Sequence, residues 1–175
     1  MADYPAPLAH ERRLADGRSV FIRPIRPADE EGERAFLEQL SPQARRRRFI
    51  KYAHVPDEDL IRHFTHIDYD QHMAYVCEAR NGARSEIVGD ARYTANADGR
   101  SCELGIVVGD EWHHTGVAQL LMEELMRAAR ARGLRTMQGV VLRDNCDMLD
   151  FVSALGFDST PSLEDQRLVR ITKQL

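Results

Sequence analysis

Lysine is nearly absent from this chain: 22 of its 24 basic residues are arginine, and Lys51 and Lys173 are the two exceptions. Genomic composition accounts for such a bias, and so would an enzyme of lysines that spares itself. Cysteine is scarce as well. Cys77, Cys102 and Cys146 are far apart, odd in number and form no C-x-x-C pair. A disulfide framework and a zinc knuckle are therefore not expected, and a reducing, cytoplasmic setting is. No apolar run approaches the roughly 18 residues that a membrane span needs. The opening "MADYPAPLAHERRL" lacks the basic-then-apolar plan of a secretion signal. No G-x-x-x-x-G-K-[ST] or G-x-G-x-x-G motif occurs, which sets aside nucleotide-binding loops of those types. Repeats and low-complexity segments are missing too. A net charge of −4 exerts no general pull on nucleic acid.

What is present suits one soluble globular domain: 175 residues, 43% hydrophobic and 30% charged. Residues 1–17 are polar, carry Pro5 and Pro7, and are expected to form a loosely held arm. A strand is expected over 19–25, and helices over 28–40, 41–49 and 56–67. In the second helix Ser41 is the N-cap and Pro42 the first helical residue. The period then changes. Segments 72–80, 86–95 and 102–109 are rich in β-formers and separated by "NGARS" and "NADGR", which predicts an antiparallel meander. Val117, Leu121, Leu125 and Ala128 recur at helical spacing over 115–132, with Gly133 as the stop. A buried-type strand over 136–142, a helix over 145–157 and a last strand over 167–175 complete the chain. The order predicts a mixed α/β (α+β) layer with a right-handed parallel unit over 102–142.

The informative stretch is "ELGIVVGDEWHHTGVAQLLMEEL", Glu103 to Leu125. It passes from an apolar strand into a helix through a corner that contains one glycine. The first turn of a helix leaves backbone N–H groups unpaired at the positive end of its dipole, and such an end binds anions, phosphate above all. Gly116 permits close approach to the backbone, and Ala118 keeps the next turn small. Read by itself, this corner is equally compatible with a plain turn.

The corner "HHTGVA" resembles the [QR]-x-x-G-x-[GA] motif of the GNAT superfamily of acyl-CoA N-acyltransferases. Gly116 and Ala118 match; His113 stands where Gln or Arg is usual. Asn145, Met148 and Leu155-Gly156-Phe157 are similar to the family's second cofactor-side helix. "IRPIRPADE", "LSPQARRRRF", "FTHIDYDQHMA" and "DEWHHTGVAQLLM" further resemble the acyltransferase domain of bacterial Pat-type protein lysine acetyltransferases. The resemblance covers about residues 18–173. No fused nucleotide-binding or synthetase-like module fits in this length, so control by one is not expected.

The resemblance implies a GNAT fold: a mixed central sheet of about six to seven strands flanked by helices. It implies transfer of an acetyl group from acetyl-CoA, as co-substrate, to a primary amine. A protein lysine is the first candidate; a small amine, or acyl-CoA binding without catalysis, is the alternative. No metal, nucleic acid or membrane partner is expected, and the oligomeric state stays open between monomer and dimer. Glu103 occupies the place of the family's general base. That role suits the chemistry, because an amine of pKa about 10.4 arrives as ammonium and must lose a proton before it attacks. Its period-2 mates are Gly105 and Val107, so an acid on that face is unusual. Ile106, Val107 and Val108 are implied to offer backbone groups to the pantetheine arm, where a bulge splays this strand from its parallel neighbour. The corner from His113 and His114 through Thr115, Gly116, Val117 and Ala118 to Gln119 is implied to hold the pyrophosphate. Asn145 is implied to contact the cofactor arm, although a helix N-cap needs the same residue type. The usual tyrosine acid is replaced by Val152.

Two other patterns point elsewhere. "RRRR" (45–48) reads as a solvated face, since four successive helical residues point four ways and no aromatics interleave. His63, His66, Asp68, Asp70 and His72 have the residue types of a metal site. The Pat-like domains resemble this stretch without a metal, and Asx-type turns explain the two aspartates.

Overall fold

In the computed structural model, which describes residues 3–50 and 57–175, eight strands form one sheet in the order β1-β2-β3-β4-β5-β6-β8-β7. The strands are β1 (His10–Arg13), β2 (Ser19–Pro24), β3 (His72–Asn81), β4 (Arg84–Ala95), β5 (Ser101–Val108), β6 (Thr136–Leu142), β7 (Asp158–Pro161) and β8 (Leu168–Gln174). The helices are α1 (Glu30–Gln39), α2 (Pro42–Arg48), α3 (Glu58–Thr65), α4 (Val117–Ala131) and α5 (Cys146–Ala154). Every strand pair is antiparallel except β5–β6. This is the mixed, open sheet that the resemblance implies. No helix among the described residues is long and apolar enough to cross a membrane.

The eight strands exceed the six to seven expected because both edges are extended. His10–Arg13, expected in a loose arm, pair with β2, and Leu14 behind them is buried. Glu124, buried on α4, holds that edge through His10 at 3.1 Å and Arg12 at 3.2 Å. Sequence period could not show this, because "HERR" has no apolar alternation and its pairing depends on a distant carboxylate. The other addition, β7, is short and exposed throughout. Pro56, expected to open the third helix, lies outside the described residues, and Asp57 caps α3 by accepting from the Leu60 N–H.

Two apolar layers cover the sheet. On one face α4 buries Val117, Leu121, Met122 and Leu125 against Met73, Tyr75, Ala91 and Tyr93 of β3 and β4. On the other, α1–α3 bury Phe36, Leu37, Ile61 and Phe64 against Val107 of β5. The start of α4 rides close to β4 because Gly89 has no side chain. A Cβ there would meet Leu121 Cδ1 at 2.9 Å and Val117 Cγ1 at 3.2 Å.

That close approach fixes where the β5–α4 corner lies. Gly89→Val is expected to destabilise the fold by about 1–3 kcal/mol through overpacking, read as a lower urea midpoint. A midpoint unchanged from the parent would show that the α4–β4 spacing is not tight.

Candidate active site

β5 and β6 are paired only from Ser101↔Thr136 to Glu103↔Gln138, and then they part. From Leu104 to Val108, β5 has a strand partner on its β4 side alone. Leu104 leans on Gly139 of β6 where the strands separate; a Cβ on Gly139 would lie 3.3 Å from Leu104 Cγ. The bulge expected to splay β5 is not there. The register of β4–β5 is continuous, and the shift lies between Cys77 and Glu78 of β3, opposite Val88 of β4. Strand divergence alone opens the slot.

The slot forms part of a cleft of about 1170 Å³. Its floor is the β5 segment from Glu103 to Val108, with Val140 and Val141 of β6. One wall comes from α2 and α3 and includes Gln43, Arg47, Arg48, His63 and Phe64. The opposite wall is the β5–α4 corner, with His113, His114, Gly116, Ala118 and Gln119, followed by Asn145, Met148 and Phe151. Ile106, Val107 and Val108 are floor residues on the stretch of β5 that is open on its β6 side.

The corner is built for exposure of its N–H groups. Gly116 is the N-cap of α4 with φ +97°, a left-handed conformation that favours glycine, and no side chain caps the helix. A Cβ at Gly116 would meet nothing closer than Leu14 Cδ2 at 4.0 Å, so the space before it is open. Val117, Ala118 and Gln119 stand in the first turn, where no intrahelical acceptor exists. Thr115 Oγ1 donates to the Trp112 carbonyl at 2.7 Å, which closes the turn from within. His113 does not line up with the helix end: its Nε2 donates to the Val108 carbonyl at 3.1 Å. The residue that departs from the family pattern therefore ties the corner to the end of β5. His114 adopts φ +60°.

Asn145 is buried and is the N-cap of α5 by position, yet its side chain makes no capping bond. Its amide is thus not spent on the helix. Val152 is fully buried in the core, and so supplies no polar group to the cleft. Glu103 is exposed at the cleft, opposite Thr94 of β4 and Gln138 of β6.

The two aspartates of the His/Asp stretch have other partners. Asp68 Oδ1 accepts from the N–H groups of Asp70 and His72 at 2.9 Å each, an Asx-type turn, and Asp70 pairs with Arg132. Among the described residues no group of three or more His, Cys, Asp or Glu is placed to hold a metal.

"RRRR" is not a uniformly solvated face. Arg46 makes an exposed pair with Asp144 at 3.0 Å, but Arg48 turns inward to a buried charge cluster beneath the cleft. There Arg92 Nε donates to Asp90 Oδ1 at 3.1 Å, Arg92 Nη2 bonds the second Asp90 oxygen, and Arg92 Nη1 reaches the Phe64 carbonyl at 3.1 Å. Glu33 lies 3.5 Å from Arg92, fully buried and without a hydrogen bond. The pattern had two signals. Asp90 and Arg92 alternate within an apolar strand, and Glu33 shares the helical spacing of Phe36, Leu37 and Leu40.

Burial, and then the Asp90 carboxylate, push Glu33 up to about 8. Burial, and then Arg92 and His63, push His72 down to about 4. The two act oppositely on stability. Folded Glu33 keeps a proton that the unfolded chain loses above about 4.5, so its contribution is complete below that pH and is lost by about 8. Folded His72 stays neutral where the unfolded ring charges, so its contribution is present above 6.5 and is lost toward about 4. Glu33→Gln removes only the first slope. Its melting temperature relative to the parent is expected to climb as pH rises from about 4.5 to about 8; a difference independent of pH would refute the buried, protonated acid.

The model of the Acetyltransferase (GNAT) family matches residues 31–157. The chain is 37% identical over 144 residues to Acetyltransferase PA5475 of Pseudomonas aeruginosa, covering 82% of this chain and 77% of that one. It superposes on the GNAT domain of S. lividans PAT with a TM-score of 0.87 and 28% identity, over 99% of this chain and 100% of that domain. It also shares its fold with Arabidopsis thaliana NAA60, solved in complex with acetyl-CoA: TM-score 0.68, 12% identity, 89% of this chain and 98% of that one. The chain belongs to the GNAT family of acetyltransferases.

Proposed function

We propose that this protein transfers an acetyl group from acetyl-CoA to a primary amine, and that the amine is the side chain of a protein lysine. The observation that carries the reading is the unpaired stretch of β5 from Leu104 to Val108, which runs from Glu103 into the uncapped start of α4. A pantetheine arm carries amide groups that pair with an open strand edge as a further strand would. The N–H groups of His114 to Gln119 hold the pyrophosphate at the helix end. Asn145, with its amide uncommitted, faces the arm from α5.

Acetyl-CoA, when bound, supplies an activated thioester. The chain supplies position and a base. Glu103 takes a proton from the arriving ammonium, directly or through water, and frees the nitrogen lone pair. The nitrogen then bonds to the carbonyl carbon, the C–S bond breaks, and the thiolate departs, taking up, directly or through water, the second proton that the nitrogen sheds as the amide forms. With Val152 in the core, no acid comes from that position; a thiolate is a good leaving group near neutral pH. Lysine as acceptor rests on the resemblance to Pat-type enzymes and on the likeness to the S. lividans PAT domain. The scarcity and spacing of cysteine support a reducing, cytoplasmic setting.

Glu103→Gln is expected to lower turnover by about 10²–10⁴-fold while acetyl-CoA still raises the melting temperature. Gly116→Glu is expected to lose that stabilisation instead. Full turnover in Glu103→Gln would remove Glu103 as base. Labelled acetyl-CoA offered to a protein extract and to a panel of small amines decides the acceptor; label confined to the amines would exclude protein lysine.

A further inference from the structure

Arg48 is a cation whose hydrogen-bonding capacity is unspent. Its side chain is 13% exposed, yet none of its N–H groups has a hydrogen-bond acceptor among the described residues, and its Nε is buried and unpartnered. The nearest carboxylate oxygen, on Asp90, is 3.9 Å away and already serves Arg92. The rings of Phe49 and Phe64 hold the guanidinium at 5.2 and 5.3 Å but offer no oxygen. The two arginines that are buried as whole residues are satisfied, whereas Arg47, also on the cleft wall, leaves its Nε buried and unpartnered as Arg48 does. Arg23 bonds Asp29, Glu78 and the Pro24 carbonyl, and Arg92 bonds Asp90 and the Phe64 carbonyl.

The charges of the cluster leave Arg48 in excess. Burial pushes Glu33 toward its neutral form, which leaves Asp90 as the anion closest to the two guanidinium groups of Arg92 and Arg48. His72 adds no charge at that pH. A buried cation without a counter-charge is costly, and the open side of Arg48 is the cleft.

Its location in the cleft is specific. The guanidinium Cζ, Nη1 and Nη2 each lie 3.1 Å from where a Cβ on residue 105 would stand. The plane therefore lies against Gly105, which explains glycine at that position. Gly105 is two residues beyond Glu103 on the same face of β5, where β5 has already left β6. A neutral acetyl group would engage one donor there. A carboxylate matches the planar fork and cancels the surplus charge.

Resting on the acyl-transfer reading above, we propose that Arg48, seated on Gly105, is a carboxylate-binding subsite beside the reacting centre. The carboxylate belongs either to the far end of the donor's acyl group, as in a dicarboxylic acyl-CoA, or to the amine acceptor. The transfer itself is unchanged: C–N forms, C–S breaks, and the base takes the amine proton.

Calorimetric titration of the intact protein with acetyl-CoA, malonyl-CoA and succinyl-CoA tests the donor arm. Titration of the CoA-saturated protein with lysine and with lysinamide tests the acceptor arm. The carboxylated member of one pair is expected to bind about tenfold tighter or more, the worth of a charge-assisted fork. In Arg48→Gln that ratio should fall toward one, and Arg48→Lys should restore part of it. Equal binding within both pairs in the parent protein, which needs no variant to fold, overturns the subsite. So does a preference that survives Arg48→Gln. Acetyl-CoA binding without a carboxylate preference rejects the subsite alone; no binding of any acyl-CoA rejects it together with the acyl-transfer reading.

Discussion

The separation of β5 from β6 is the constraint on which the rest of the molecule depends. Two parallel strands that paired to their ends would satisfy each other's backbone groups and leave no slot. Here pairing stops at Glu103↔Gln138, and Leu104 packs against Gly139 where the strands part. The freed edge of β5 then needs partners, and the cleft is the place from which they come. Gly89 places α4 against β4 on one side of that edge, while Phe36, Phe64 and Val107 pack α1–α3 on the other. The helices thus serve as walls for a gap that the sheet creates.

Electrostatics divide the cleft into two ends. At the β5–α4 corner, unpaired N–H groups and the α4 dipole favour an anion without any cationic side chain being required. Under the opposite wall the charge is carried by arginines, sunk among aromatic rings and balanced in part by Asp90. Glu103 is exposed on β5, two residues before Gly105 and so farther from the corner than the arginines are. Under the proposed function, a site so arranged would separate the task of holding a phosphate from that of setting the charge near a reacting acyl group.

Much of this was legible in the sequence, for reasons that can be named. The period-2 strands, the helical spacing over Val117–Ala128 and the glycine at the corner are local signals, and the elements they predict are present. Local signals fail where a partner is remote. β1 is held by Glu124, more than a hundred residues away, which accepts a hydrogen bond from Arg12 and lies against His10. Arg48 turns inward because Asp90 lies below it and Gly105 leaves room, which no helical wheel of "RRRR" contains. The slot needed no bulge in β5, because a register shift between β3 and β4 leaves β5 regular and divergence does the rest.

Amide hydrogen exchange with and without acetyl-CoA tests the central claim most directly. Slowed exchange on acetyl-CoA addition is expected in two segments: 104–108 of β5, whose edge facing β6 is open, and 114–119 at the start of α4. Unchanged exchange in both segments at saturating acetyl-CoA would contradict it.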